Sequence, residues 1–218
     1  MEPNNTYFER MCYQQGFFHI AGVDEVGRGC LAGPVIAAAC ILPKGYFDSA
    51  IKDSKALTAG QREAAFNALI KAQAIYAIGI VSNIEIDKIN ILQATYHAMQ
   101  SAIANLAIVP DYILIDGNQL PNILIPHRGI IKGDQKSVSI AAASIIAKVT
   151  RDNLMQEYDK IYPMYYFAEN KGYPTKKHIM GLDQFGPCAI HRLSYKPVTI
   201  RNSSCTHIKQ PTENVGQL

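Results

Sequence analysis

Paired cysteine motifs are missing from this sequence. Its five cysteines, Cys12, Cys30, Cys40, Cys188 and Cys205, are odd in number and widely spaced, with no CxxC or CxxH among them. That argues against a disulfide framework or a cysteine-ligated zinc site and for reduced thiols in a cytosolic compartment. Cys30 and Cys40 sit among Ala, Val, Ile and Leu and read as small buried hydrophobes. An apolar signal core is lacking too, because the start, MEPNNTYFERMCYQQG, is polar. No run approaches the roughly 20 apolar residues of a membrane span. The expectation is a soluble, cytoplasmic protein without membrane contact. Charge is scarce: 18% of residues are charged and the formal net charge is +3. Such a balance permits a polyanionic partner without demanding one. The six histidines are scattered, with no HExxH pair, and read as structural or surface residues. No internal repeat or low-complexity linker divides the 218 residues, so one domain with a sizeable core is expected.

What is present alternates between strand and helix patterns. HIAGVD reads as a short strand, and Pro34 to Leu42 (PVIAAACIL) as a second, buried on both faces. The two form a hairpin joined through VGRGCLAG. Thr58 can cap a helix through AGQREAAFNALIKA, and Ala74 to Val81 reads as a third strand. Ile86, Ile89, Leu92, Tyr96 and Met99 predict one long amphipathic helix. Asp111 to Asp116 (DYILID) is a short strand ending on an acid, and Arg128 to Asp134 (RGIIKGD) repeats that design. From Ser137 to Tyr158 a long helix is expected, with its apolar stripe through Ile140, Ala143, Ala147, Thr150 and Leu154. Further helical character appears around HIMGLDQF, and the residues from about 202 onward lack apolar periodicity. The summary is an α/β domain.

The stretch GVDEVGRG, Gly22 to Gly29, carries the chemistry. A glycine-bounded turn after a strand suggests a phosphate loop, but the Lys and Ser/Thr that a P-loop requires are replaced by Arg28 and Gly29. Two adjacent acids, Asp24 and Glu25, would also repel phosphate. They make sense if magnesium or manganese stands between them and a phosphodiester, since such ions take carboxylates, water and substrate oxygens. Further acids at strand ends, Asp116 and Asp134, can join them; singly, each reads more readily as a turn residue or helix cap than as a ligand, and it is several together that point to a cation. Gly27 and Gly29 let the backbone approach a nucleic-acid strand. Tyr173, in GYPTKKH, suits stacking on a sugar or base. Lys52, Lys55, Lys148 and Arg151 read individually as solvated charges.

Taken in order, AGVDEVGRGCLAGPVIAAACIL, KDSKALT, INILQATYHAM, ILIDGN, IIKGDQKSVSIAAASIIAKVTRD, GYPTKKH and FGPCAIHRLSYKPV closely resemble bacterial ribonuclease HII, the type 2 RNase H family. The likeness runs from about residue 18 to 200. It implies an RNase H-like fold, a mixed five-stranded sheet flanked by helices with a small helical C-terminal portion. By position the catalytic domain covers 18–201, its helical portion begins near 160, residues 1–17 form an N-terminal extension and 202–218 a tail. The resemblance implies that Asp24, Glu25, Asp116 and Asp134 hold two magnesium or manganese ions. It implies that Gly27, Arg28 and Gly29 contact the nucleotides of an RNA–DNA junction, that Tyr173 senses the ribose 2′-hydroxyl, and that Lys52 and Lys55 lie near the substrate backbone. The implied substrates are RNA–DNA hybrid and duplex DNA containing ribonucleotides, cut by a monomer; any replication-linked protein partner stays unassigned. Pro174 departs from the glycine that many relatives carry after the tyrosine.

Overall fold

The computed structural model describes residues 6–48, 50, 51, 54, 57–118 and 121–202. Five strands, β1 (Ile20–Val26), β2 (Val35–Ile41), β3 (Ile75–Val81), β4 (Tyr112–Asp116) and β5 (His127–Ile130), form one sheet in the order β3-β2-β1-β4-β5. β2 runs antiparallel to β1 and β3, whereas β4 runs parallel to β1 and β5. The sheet is therefore mixed, with β1 at its centre, as the resemblance implies. Every residue of β2 is buried, in keeping with a strand covered on both faces.

Seven α-helices accompany the sheet among the described residues: α1 (Tyr7–Gln14), α2 (Ala59–Lys71), α3 (Asn83–Ala104), α4 (Val138–Ile161), α5 (Phe167–Asn170), α6 (Lys176–Phe185) and α7 (Lys196–Asn202). α3 packs Ala94, Ala98 and Ala102 against Val23, Ala37 and Ile115 on one face. α4 and α2 cover the other, where Ala142, Ile146 and Leu69 meet Ala38 and Cys40. Alanine on both partners allows close approach. At Gly22 the approach is closer still, since a methyl group there would stand 2.0 Å from the carbonyl carbon of Ser139. That contact seats the start of α4 directly on β1. Thr58 caps α2 with the expected reciprocal bonds to Gln61.

Several sequence expectations change. α3 is kinked, because Asn90 takes φ 68° and its side-chain oxygen caps the second half through Leu92 and Gln93 N–H. Past that break the buried stripe shifts to Ala94, Ala98 and Ala102, leaving Leu92 and Tyr96 half-buried. On α4 the stripe runs through Arg151 and Met155, not Thr150 and Leu154. β5 ends at Ile130, where the chain bends through left-handed Lys132 into a 3₁₀ turn, Gly133–Gln135. Ser137, rather than Asp134, caps α4. Residues assigned to an N-terminal extension contain α1, whose Cys12 packs with Ile20, Leu114 and Ile140. Most of the C-terminal tail lies outside the described residues. Among those described, no helix is long and apolar enough to cross a membrane.

Candidate active site

The acids collect where parallel β1 and β4 end. β1 pairs Val23 with Ile115, so the next residue on each strand is Asp24 and Asp116. Side chains alternate along a strand; Asp24 shares the face of Gly22 and points toward α4, where Ser144 hydrogen-bonds its carboxylate. Asp24 Oδ1 accepts the Glu25 N–H at 2.7 Å. Asp116 Oδ1 accepts the Gly133 N–H at 2.6 Å. That bond ties the 3₁₀ turn to the tip of β4 and brings the next residue, buried Asp134, to the same edge of the sheet.

Electrostatics bind three of these acids into one group. Asp24 is 5% exposed, and burial raises its pKa well above the usual range; the charges of Glu25 and Asp116 push it the same way. Burial likewise raises Glu25, against the opposing pull of Arg28, whose Nη1 lies 3.1 Å from Glu25 Oε1. Asp24 and Glu25, both raised and set beside the Asp116 charge, form a site that a hard cation would relieve. Among the described residues, no three such side chains already stand close enough to enclose an ion. An all-oxygen donor set in an open arrangement fits magnesium or manganese, which keep water and substrate oxygens in their coordination.

The GRG turn and Tyr173 flank these acids. Gly27 has φ +95°, Arg28 and Gly29 are exposed, and a methyl group on Gly29 would lie 3.8 Å from Cε1 of Tyr173. The GRG turn and Tyr173, itself 40% exposed, thus form one continuous surface. Lys52 and Lys55 lie outside the described residues. Ser54 joins its hydroxyl to that of Ser144 at 2.8 Å, which links Ser54 to Asp24. Lys148 is not a free solvated charge but pairs with Asp152 at 2.6 Å.

The ribonuclease HII family model matches residues 21–198. The chain belongs to the ribonuclease HII family. It is 54% identical to the ribonuclease HII of Chlamydia caviae over 89% of this chain and 92% of that one. It is 53% identical to the ribonuclease HII of Desulfitobacterium hafniense over 87% of this chain and 73% of its relative. The solved ribonuclease H2 of Pyrococcus horikoshii superposes with a TM-score of 0.72 at 27% identity, over 85% of this chain and 97% of that one. The chain is accordingly a nuclease of the hydrolase class, acting as an RNase H on RNA–DNA hybrids.

Within this ribonuclease HII chain, the residues that sequence reasoning missed are those that support the site from below. Arg151, read as a solvated charge, is fully buried, and so is Arg192. His178 and His191 meet through their Nε2 atoms at 2.9 Å, and His178 Nδ1 lies 2.9 Å from the Tyr173 carbonyl oxygen. Only Arg151 left a signal in the sequence, since it follows Ile140, Ser144 and Ala147 at helical spacing.

Proposed function

We propose that the chain is an endoribonuclease that hydrolyses the RNA strand of RNA–DNA hybrids and also cuts at single ribonucleotides embedded in duplex DNA, using two magnesium or manganese ions. The observation that carries this reading is buried Asp24, raised by burial and by the neighbouring charges of Glu25 and Asp116, beside the surface formed by the GRG turn and Tyr173. Asp24, Glu25 and Asp116 would hold the core of the metal site, and Asp134 would complete the second ion's place. Bound there, the ions supply Lewis-acid chemistry, acidifying water and offsetting phosphate charge.

The chain's own residues do the rest. The outward amides of the GRG turn and the Tyr173 hydroxyl hold the ribose beside the acids and test its 2′-hydroxyl. Lys52 and Lys55 steady the backbone. The Arg28 guanidinium fixes Glu25 while its own backbone faces the nucleotide. Hydrolysis breaks the bond from phosphorus to the 3′ oxygen, leaving 5′-phosphate and 3′-hydroxyl ends. Readout falls on sugar and backbone, which suits a nuclease indifferent to base sequence.

The test is cleavage of labelled RNA–DNA hybrid with and without magnesium or manganese, using wild-type and Asp24→Asn protein. Metal-dependent cutting by the wild type alone supports the reading. Binding without cutting would indicate a hybrid-binding module, and phosphate release from ATP or GTP without RNA cleavage a nucleotide hydrolase; either overturns it.

A further inference from the structure

Two guanidinium groups lie wholly inside this protein, and neither forms an ion pair among the described residues. A buried cation without an anion is costly unless every donor is satisfied. Here the acceptors are mostly main-chain carbonyls, drawn from the loop that runs from the GRG turn to Pro34 and from Lys171. Arg192 Nη2 donates to Gly27 O at 2.7 Å and Gly33 O at 2.9 Å, Nε to Gly33 O at 3.0 Å, and Nη1 to Arg28 O at 2.9 Å and the Tyr195 hydroxyl at 3.1 Å. All five donors of the fork are used. The Tyr195 hydroxyl donates in turn to Arg28 O at 3.0 Å. Arg151 donates to Pro34 O at 3.1 Å, Ala32 O at 3.0 Å and Lys171 O at 2.7 Å, which joins the loop that follows the turn to the segment bearing Tyr173; its side chain also packs against Gly27, where a methyl group would meet it. The segment carrying Arg192 is itself docked by a bridge between Ala32 and His191 and by the Arg192 N–H on Leu31 O.

With the Gly27 and Arg28 carbonyls held from the inside, the turn leaves Arg28 and Gly29 exposed. We propose that Arg192 and Arg151 are positioning residues that lock the GRG turn and the Tyr173 segment into one rigid reader of the substrate's sugar and backbone. A planar fork suits this task because it fixes several carbonyls in a single plane, which a lysine cannot do. The inference rests on the reading of this surface as the substrate contact, so its test needs one arm free of nucleic acid.

The experiment compares wild type, Arg192→Lys and Tyr195→Phe. Lysine keeps the charge but loses the fork; phenylalanine removes only the hydroxyl that braces Arg28 O and Arg192. In the free protein, amide hydrogen exchange within residues 27–33 and 171–173 is expected to accelerate about tenfold in Arg192→Lys, with β1 to β4 unchanged. On a duplex carrying one ribonucleotide, KM is expected to rise about tenfold while kcat stays within about threefold, and manganese affinity measured by calorimetry stays the same. Tyr195→Phe is expected to raise KM about threefold by the same route, and it decides the matter if Arg192→Lys does not fold. Unchanged exchange in residues 27–33 overturns the inference. So does a parallel loss of kcat, metal affinity and melting temperature, which would mark the arginine as a general stabiliser. If wild-type protein cuts no hybrid, the proposed function fails, and the exchange arm still judges the clamp.

Discussion

Asp24 sits in a conflict that the protein retains. Its carboxyl is buried beside two further acids, and its pKa lies above the usual value of 3.8, chiefly through desolvation. Between that value and the raised one, the folded state binds more protons than the unfolded state, so stability falls as pH rises through the window. The metal-free protein carries this penalty above the usual value of 3.8. Asp24→Asn should therefore raise the melting temperature without metal, by about 2–4 °C per kcal/mol relieved, while lowering cleavage by at least about 10²-fold. Manganese should raise the melting temperature of wild type and leave that of Asp24→Asn nearly unmoved. Scanning calorimetry with and without manganese checks both; an Asn variant that melts lower without metal would contradict the account. Tyr173 makes a separate residue-level test. Tyr173→Phe should weaken cutting at a single ribonucleotide about tenfold through the lost hydroxyl, with melting unchanged, since the ring is 40% exposed.

Between elements, the contacts that aim the site are short-range and unforgiving. Gly22→Ala would drive a methyl group to 2.0 Å from the α4 backbone at Ser139. Strand and helix must separate, so urea denaturation should show a loss of several kcal/mol or no folded protein. A second joint is the His178–His191 pair, which links α6 to the segment bearing Arg192. Burial, then the charge of His178, lowers His191 to about 3 from its ordinary 6.5. The unfolded chain takes up that proton first, so this group's contribution is complete above about 6.5 and is lost as pH falls toward about 3. Urea melts at pH 7 and 4.5 should show the drop, and His191→Gln should reduce its size. Such joints were poorly legible beforehand. Local signals located each strand of the sheet, the α2 cap and Asp116 at the end of β4, whereas Asp134 lies past the end of β5 in a 3₁₀ turn. They did not reveal the Asn90 kink, which depends on a left-handed backbone, and the helical spacing that puts Arg151 on the buried face of α4 could not show the distant carbonyls that let a charge lie there. Arg192 gave no local sign at all.

Taken whole, the molecule is a mixed sheet whose two adjacent parallel strands end in acids, with a helical C-terminal portion braced against the turn beside them. On the proposed reading, the acids at the strand ends would hold the metal and the braced turn would read the sugar next to it. The central claim is that these two surfaces act together on one phosphodiester. The most direct measurement maps the ends produced from duplex DNA containing a single ribonucleotide, with manganese or magnesium and again after chelation. The account predicts cutting at the ribonucleotide only with metal, 3′-hydroxyl and 5′-phosphate ends, and no cutting of the all-DNA duplex. Cleavage that survives chelation, 2′,3′-cyclic phosphate ends, or equal cutting of all-DNA duplex would contradict it.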